Sequence, residues 1–178
     1  MRKFICFVLT ISFVVTNISG CSISEKINSK PTITSLIEDS DAFANIMPLY
    51  EEISEKNNYR YRVAVNWYWS DLEMTEREIT VVYSDNLNFH TDSQYYVFLT
   101  PDTLYSDTYF LATNEDCIIK LIGHGDYVWS SNVALNKSIQ ENAGSLSLLA
   151  FDSWVISNFG EPKYPPTPSY SDNSNVIL

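Results

Sequence analysis

Glycine is scarce, at five residues in 178, and none falls in a phosphate-cradling pattern. That excludes a P-loop or a dinucleotide-binding turn. No Gly-x-Ser-x-Gly elbow is present, so the plentiful serines lack the frame of an α/β-hydrolase nucleophile. Histidine is scarcer still, with His90 and His124 alone. Each stands two residues before an aspartate, Asp92 and Asp126. A zinc site takes three or four protein ligands. Two His-x-Asp pairs meeting in space would supply them, and two exposed turn histidines would not. His90 and His124 are therefore weak metal candidates, and no cofactor is expected. Asp85, Asn86, Asn88 and Asp92 offer oxygens for calcium, but not at EF-hand spacing, and a plain turn is the simpler reading. Basic residues are few: 11 against 22 acids, a net charge of −11. Such a surface repels nucleic acid and anionic headgroups, so neither is an expected partner.

Cysteine is limited to Cys6, Cys21 and Cys117. Met1-Arg2-Lys3 is a short basic start, and Phe4 to Val15 is almost wholly apolar. That is the order of an export signal, and the run is shorter than the roughly twenty residues of a spanning helix. Ile18-Ser19-Gly20-Cys21 resembles the lipobox of bacterial lipoproteins. The resemblance covers residues 1–21 and implies cleavage before Cys21, which would carry the lipid. The expected partner is then a membrane held through acyl chains, with the domain facing outside the cytoplasm. In a Gram-negative cell Ser22, in place of aspartate, favours the outer membrane; in a Gram-positive cell the question does not arise. With Cys6 removed and Cys21 acylated, Cys117 has no disulfide partner. It sits in the apolar run Cys117 to Ile122, where a small buried hydrophobe is expected.

The expected organisation is a signal over 1–20 and a lipidated Cys21 with a flexible tether to 32. One domain over 33–160 and a loose Pro- and Ser-rich tail over 161–178 complete it. Residues 33–55 admit either a helix broken at Pro48 or a helical turn followed by a strand. From Tyr59 to Trp69 large residues alternate, the pattern of a strand. Further strands are expected at 79–83, 95–99, 109–112, 117–122 and 127–129, between turn-forming segments. Leu148, Phe151, Val155 and Phe159 share a helical face, capped by Ser147 and stopped by Gly160 and Pro162. The expected fold is mainly β, a small antiparallel OB-like barrel or sandwich with a C-terminal α-helix.

The acidic opening Ser35 to Ala42, then Tyr61-Arg62-Val63-Ala64-Val65, Ile79-Thr80-Val81 and Tyr96-Val97-Phe98-Leu99, resemble a run of features in secreted bacterial domains. Those domains are similar to the OB barrel, in the branch shared with netrin-like and metalloproteinase-inhibitor domains. The resemblance covers about half the chain and implies a fold. Asp92-Ser93-Gln94 replaces the usual glycine before the fourth strand, and Trp69-Ser70-Asp71 replaces a Lys-Gly. Inhibitors of that branch place a cysteine amine on zinc, which an acylated Cys21 cannot do.

Aromatic residues are the clearest excess, with 12 tyrosines and four tryptophans. Inside, the rings at 59, 61, 67 and 69 are core. Outside, Trp67, Tyr68 and Trp69, with Arg60 and Arg62, would form a platform for a sugar or protein. The expected role is a non-enzymatic binding or interaction module of the cell envelope, meeting an envelope protein; a glycan or small-ligand binder is the alternative. A metal-dependent hydrolase is the remote one.

Overall fold

A computed structural model describes residues 30–52, 59–83, 89–113 and 115–166. Cys21, most of the tether, Asp85, Asn86, Asn88 and the tail beyond 166 lie outside these. Of the two alternatives for residues 33–55, the helical turn followed by a strand holds, and no helix reaches Pro48. Helix α1 spans Ile33–Asp39, capped by Thr32, whose hydroxyl accepts from the Ser35 N–H. Strand β1, Ala42–Glu52, follows at once and runs through Pro48. Then come β2 (Tyr59–Trp69), β3 (Glu78–Tyr83), β4 (Tyr95–Pro101), β5 (Thr108–Leu111), β6 (Ile119–Ile122) and β7 (Tyr127–Ser130). Helices α2 (Val133–Ala143) and α3 (Leu148–Phe159) finish the order.

The sheet runs β1-β2-β3-β5-β4, and β1 pairs again with β4 to close it. Five strands closing in this way form a small OB-like barrel with helices outside it. The pairs are antiparallel except β3 with β5, which run parallel. Strands β6 and β7 extend the sheet from β4 as a two-stranded wing.

Two apolar cores lie on the two sides of β1 and β4. Ala42, Ala44 and Ile46 of β1 and Tyr95, Val97 and Leu99 of β4 face the barrel interior. The alternate residues Phe43, Tyr96 and Phe98 face the helices. That is why Tyr95 to Leu99 is continuously apolar: both faces are buried. Alanines at 42 and 44 leave interior room for Tyr61, Tyr68 and Tyr109. Outside, the Phe43 ring stacks on Trp69 at 5.5 Å, Tyr96 at 5.3 Å and Phe98 at 5.1 Å. Phe151 of α3 meets Phe43 edge-on.

Three boundaries differ from the sequence reading. Helix α2 was not expected, because only Leu135 and Ile139 supply its buried apolar stripe. Its ends are nonetheless marked, by Asn132 capping Leu135 and by Gly144 in the left-handed conformation. Residues 115–117 form a 3-10 turn, so the strand begins at Ile119 and not at Cys117. The tail is not loose at its start: Lys163 bridges to Tyr68, with backbone bonds of 2.9 and 2.7 Å.

Among the described residues the outer edge of β7 offers little to another strand. The Val128 N–H donates to the Leu146 carbonyl, and the Leu148 N–H donates to that of Asp126. The Asn136 amide both accepts from the Ser130 N–H and donates to its carbonyl. Closure of the barrel and this covering both blunt edge-to-edge pairing.

Candidate functional site

Strand β2 carries most of the residues singled out by sequence, and one bulge decides where they point. Asn45 faces Trp67 and Ile46 faces Val65, leaving Asn66 unmatched. The Asn66 amide donates to Asn45 Oδ1 at 2.7 Å. Such an extra residue shifts the two-residue alternation. Before it, Tyr61, Val63 and Val65 face the interior; after it, Tyr68 does. Trp67 and Trp69 turn to the helix-covered core. Tyr68 is 3% exposed and Trp69 7%. Of the two readings for these rings the core one holds: Tyr68 and Trp69 are core and Trp67 is half-buried against it, so the three do not form the open platform of the other reading. Their polar tips are satisfied inside, with the Tyr68 hydroxyl accepting from the Met74 N–H and the Trp69 indole donating to the Gly160 carbonyl.

Arg60 and Arg62 lie on the outer face of the barrel. Arg60 stands between Glu52 and Val82, and Arg62 between Tyr50 and Thr80. Val82 in turn faces Phe110, and Thr80 faces Thr108. The face therefore combines Tyr50, Arg60, Arg62, Val82 and Phe110. The loop between β4 and β5 is tied to it. The Arg62 guanidinium donates to Asp107 Oδ2 at 2.9 Å and to Thr80 Oγ1 at 3.1 Å. Its hydrogen bond holds the Asp107 carboxyl below the usual carboxylate range. The same loop presents Leu104, 82% exposed, and Tyr105, 60% exposed. Sequence reasoning missed Leu104 and Tyr105 because they form only a two-residue apolar step in a polar loop, too short to show a period. Phe110 was legible as the outward partner of the inward Tyr109, given the alternation in β5.

A second concavity lies where α1, the end of β2 and the end of α3 meet. It is a cleft of about 510 Å³. Ile37, Trp69, Leu72 and Phe159 supply its apolar surface, and Glu38, Asp41, Asp71 and Glu161 its carboxylates. Lys163 also lines it, with its ammonium donating to the Ser70 carbonyl at 2.6 Å.

The histidines stand apart from both regions. His90 is exposed, and its N–H donates to the Tyr95 hydroxyl. His124 is exposed at the turn between β6 and β7, with φ of 61°. Among the described residues no three His, Cys, Asp or Glu side chains gather to hold a metal. The meeting of two His-x-Asp pairs that a metal site at His90 and His124 would require is not found among them. Cys117 is buried. Burial, then the neighbouring Asp116, push its thiol up to about 12, so the thiolate a nucleophile needs is absent at neutral pH.

Under helix α3 the Tyr96 hydroxyl donates to Asp152 Oδ1 at 2.5 Å. Burial raises the Asp152 carboxyl above its usual range, and the Tyr96 bond only partly offsets that. The pair ties α3 to β4 and opens into no described cleft.

The fold and these surfaces define the class: a small OB-like barrel whose outer face and attached loop expose apolar rings around two arginines. Comparison with protein-family models, with curated proteins and with solved structures finds no match to this chain. No helix among the described residues is long and apolar enough to cross a membrane.

Proposed function

We propose that this chain is a lipid-anchored, non-enzymatic interaction module of the cell envelope, and that the outer face of β2, β3 and β5 receives a protein partner. One observation carries the reading. Tyr50, Leu104, Tyr105 and Phe110 are exposed around the Arg60 and Arg62 face, on a loop and strands fixed by the Arg62 to Asp107 bond. Exposed aromatic rings beside arginine are what protein contact sites favour. In OB barrels the second and third strands and the loop between the fourth and fifth form the ligand face. A loop already pinned loses less freedom on binding than a free one. Kinship with the netrin-like and inhibitor branch belongs to the same proposal and rests on the barrel and on the order of apolar segments from Ser35 to Leu99.

Anchoring rests on the order of basic, apolar and small residues ahead of Cys21. Two or three acyl chains would hold the domain stably at a membrane, where one would not. Mass spectrometry of the purified mature protein is expected to find an acylated Cys21 as its first residue. A photo-crosslinker at Tyr105, in cells, is expected to capture one dominant protein, and Phe110→Ser is expected to abolish the capture. A capture that persists in Phe110→Ser, or appears equally from Trp129 on the wing, would sink the assignment of this face. Absence of any protein adduct would turn the search to glycans.

A further inference from the structure

The wing of β6 and β7 has one open side. Lys120 faces Trp129 and Ile122 faces Tyr127 across the pair, so these four side chains share that side. Ile119 and Val128, on the other side, are buried against the helices. Trp129 is 45% exposed and Tyr127 52%. Two further exposed apolar residues begin the helices that flank the wing, Val133 in α2 and Leu149 in α3. The Leu148 N–H donates to the Asp126 carbonyl, which seats the start of α3 beside the start of β7. Because the outer edge of β7 is covered, an occupant of the open side meets side chains and does not add a strand.

This end of the molecule is nearly neutral. Residues 117–159, which hold β6, β7, α2 and α3, carry three of the chain's 22 acids and two of its 11 basic residues. Glu141 pairs with Lys137, and Asp152 is bonded to Tyr96, which leaves Lys120 and Asp126. Almost all of the net charge of −11 therefore lies elsewhere in the chain. The acidic remainder is repelled by anionic headgroups, whereas the wing can approach a lipid surface without that cost. Tryptophan and tyrosine rings favour the boundary between lipid and water, and a lysine stem reaches past them to the headgroups. Such a contact is weak by itself, but a short tether raises the effective concentration to the order of mM. The eleven residues 22–32 reach at most about 36 Å, comparable with the width of a domain of this size. A lipid on Cys21 would thus let the wing meet the same membrane. We propose that the open side of the wing docks on the membrane that holds the anchor, with Tyr127 and Trp129 at the level of the headgroups. This rests on the anchoring reading above and adds a second, weaker contact with the same surface.

The test couples the chain from Cys21 onward, through the thiol of that residue, to a maleimide lipid in phosphatidylcholine vesicles; Cys117 is buried and escapes coupling. The anchor is supplied chemically, so failure of docking is distinct from failure of lipidation in the cell, which mass spectrometry reads separately. Vesicles with bromine near the headgroup end of the acyl chains are compared with plain ones, since bromine quenches indole emission on contact. The chain has four tryptophans, and the emission due to Trp129 is the part that Trp129→Phe lacks. Bromine is expected to quench that part. Ile122→Glu, which sets a carboxylate on the open side, is expected to abolish the quenching. Ile122 is exposed, and an unchanged urea midpoint checks the fold of the variant. Tyr105→Ser, on the partner face, is expected to leave the quenching as it is. Equal Trp129 emission from brominated and plain vesicles would overturn the proposal. Quenching that survives Ile122→Glu, or that disappears in Tyr105→Ser, would overturn it too. So would a blue shift of Trp129 that grows with protein concentration in the absence of vesicles, the mark of a contact between two copies of this chain.

Discussion

Replacing Arg62 by methionine should free the loop between β4 and β5 without unfolding the barrel. Methionine keeps most of the apolar stem of the arginine side chain but loses its bonds to Asp107 and Thr80. Charge-assisted bonds in buried settings contribute about 1.5–3 kcal/mol. Exposed ion pairs contribute about 0.2–1 kcal/mol. The two side chains are 18% and 38% exposed, so this pair lies between, and screening at the Asp107 end discounts it further. A loss of about 1 kcal/mol follows, or about 3 °C in Tm for a domain of this size. The pH dependence has a definite sign. Arg62 holds the Asp107 carboxyl below its unfolded-state range, so the stabilisation is complete above that range. It is lost as pH falls through the lowered, folded-state value, and Arg62→Met should lack that acid-side loss. Urea denaturation across pH gives the energies, and hydrogen exchange at residues 102–108 reports the loop. The Thr108 N–H, bonded to the Tyr105 carbonyl at 3.2 Å, should exchange faster in the variant. Unchanged exchange there, with unchanged stability, would refute the claim that this pair pins the loop.

Tyr96→Phe removes the donor to Asp152 and should cost about 1.5–2 kcal/mol at neutral pH, a value that urea denaturation measures. Because burial raises the Asp152 carboxyl, its contribution favours the folded state below its unfolded-state range and is lost as pH rises through the folded-state value. Asp152→Asn should flatten that part of the pH–stability curve; an unaltered curve would show that another group governs it. His124→Gly relieves a left-handed residue at the β6–β7 turn and should raise stability by about 0.5 kcal/mol, after the entropy that glycine adds to the unfolded chain. A fall in Tm would instead show that the imidazole makes a stabilising contact.

Local pattern alone revealed several parts of this molecule, because the cause of each is local. The alternation from Tyr59 to Val65 follows from the pleat of a strand with one face in a barrel. Ser147 capping the Ala150 N–H and Gly160 ending α3 depend only on backbone groups within a few residues. The scarcity of glycine excluded nucleotide loops by arithmetic, and the basic, apolar and small-residue order before Cys21 is a pattern that needs no fold to be noticed.

The tertiary structure decided what depends on residues distant in the chain. Asn66 looks like one more position in an alternating strand. Only its pairing against Asn45 and Ile46 makes it a bulge, which sends Tyr68 into the barrel and Trp67 and Trp69 toward the helices. Helix α2 exists because Leu135 and Ile139 find the same core as Phe43 and Phe151, a condition that a weak local stripe does not reveal. Arg62 meets Asp107 across 45 positions, and the cleft gathers acids from α1 and from the segments that follow α1, β2 and α3, which no single sequence window contains. Composition and period are summed along the chain, whereas burial and charge pairing are settled between segments, and so only the folded barrel separates core rings from surface ones.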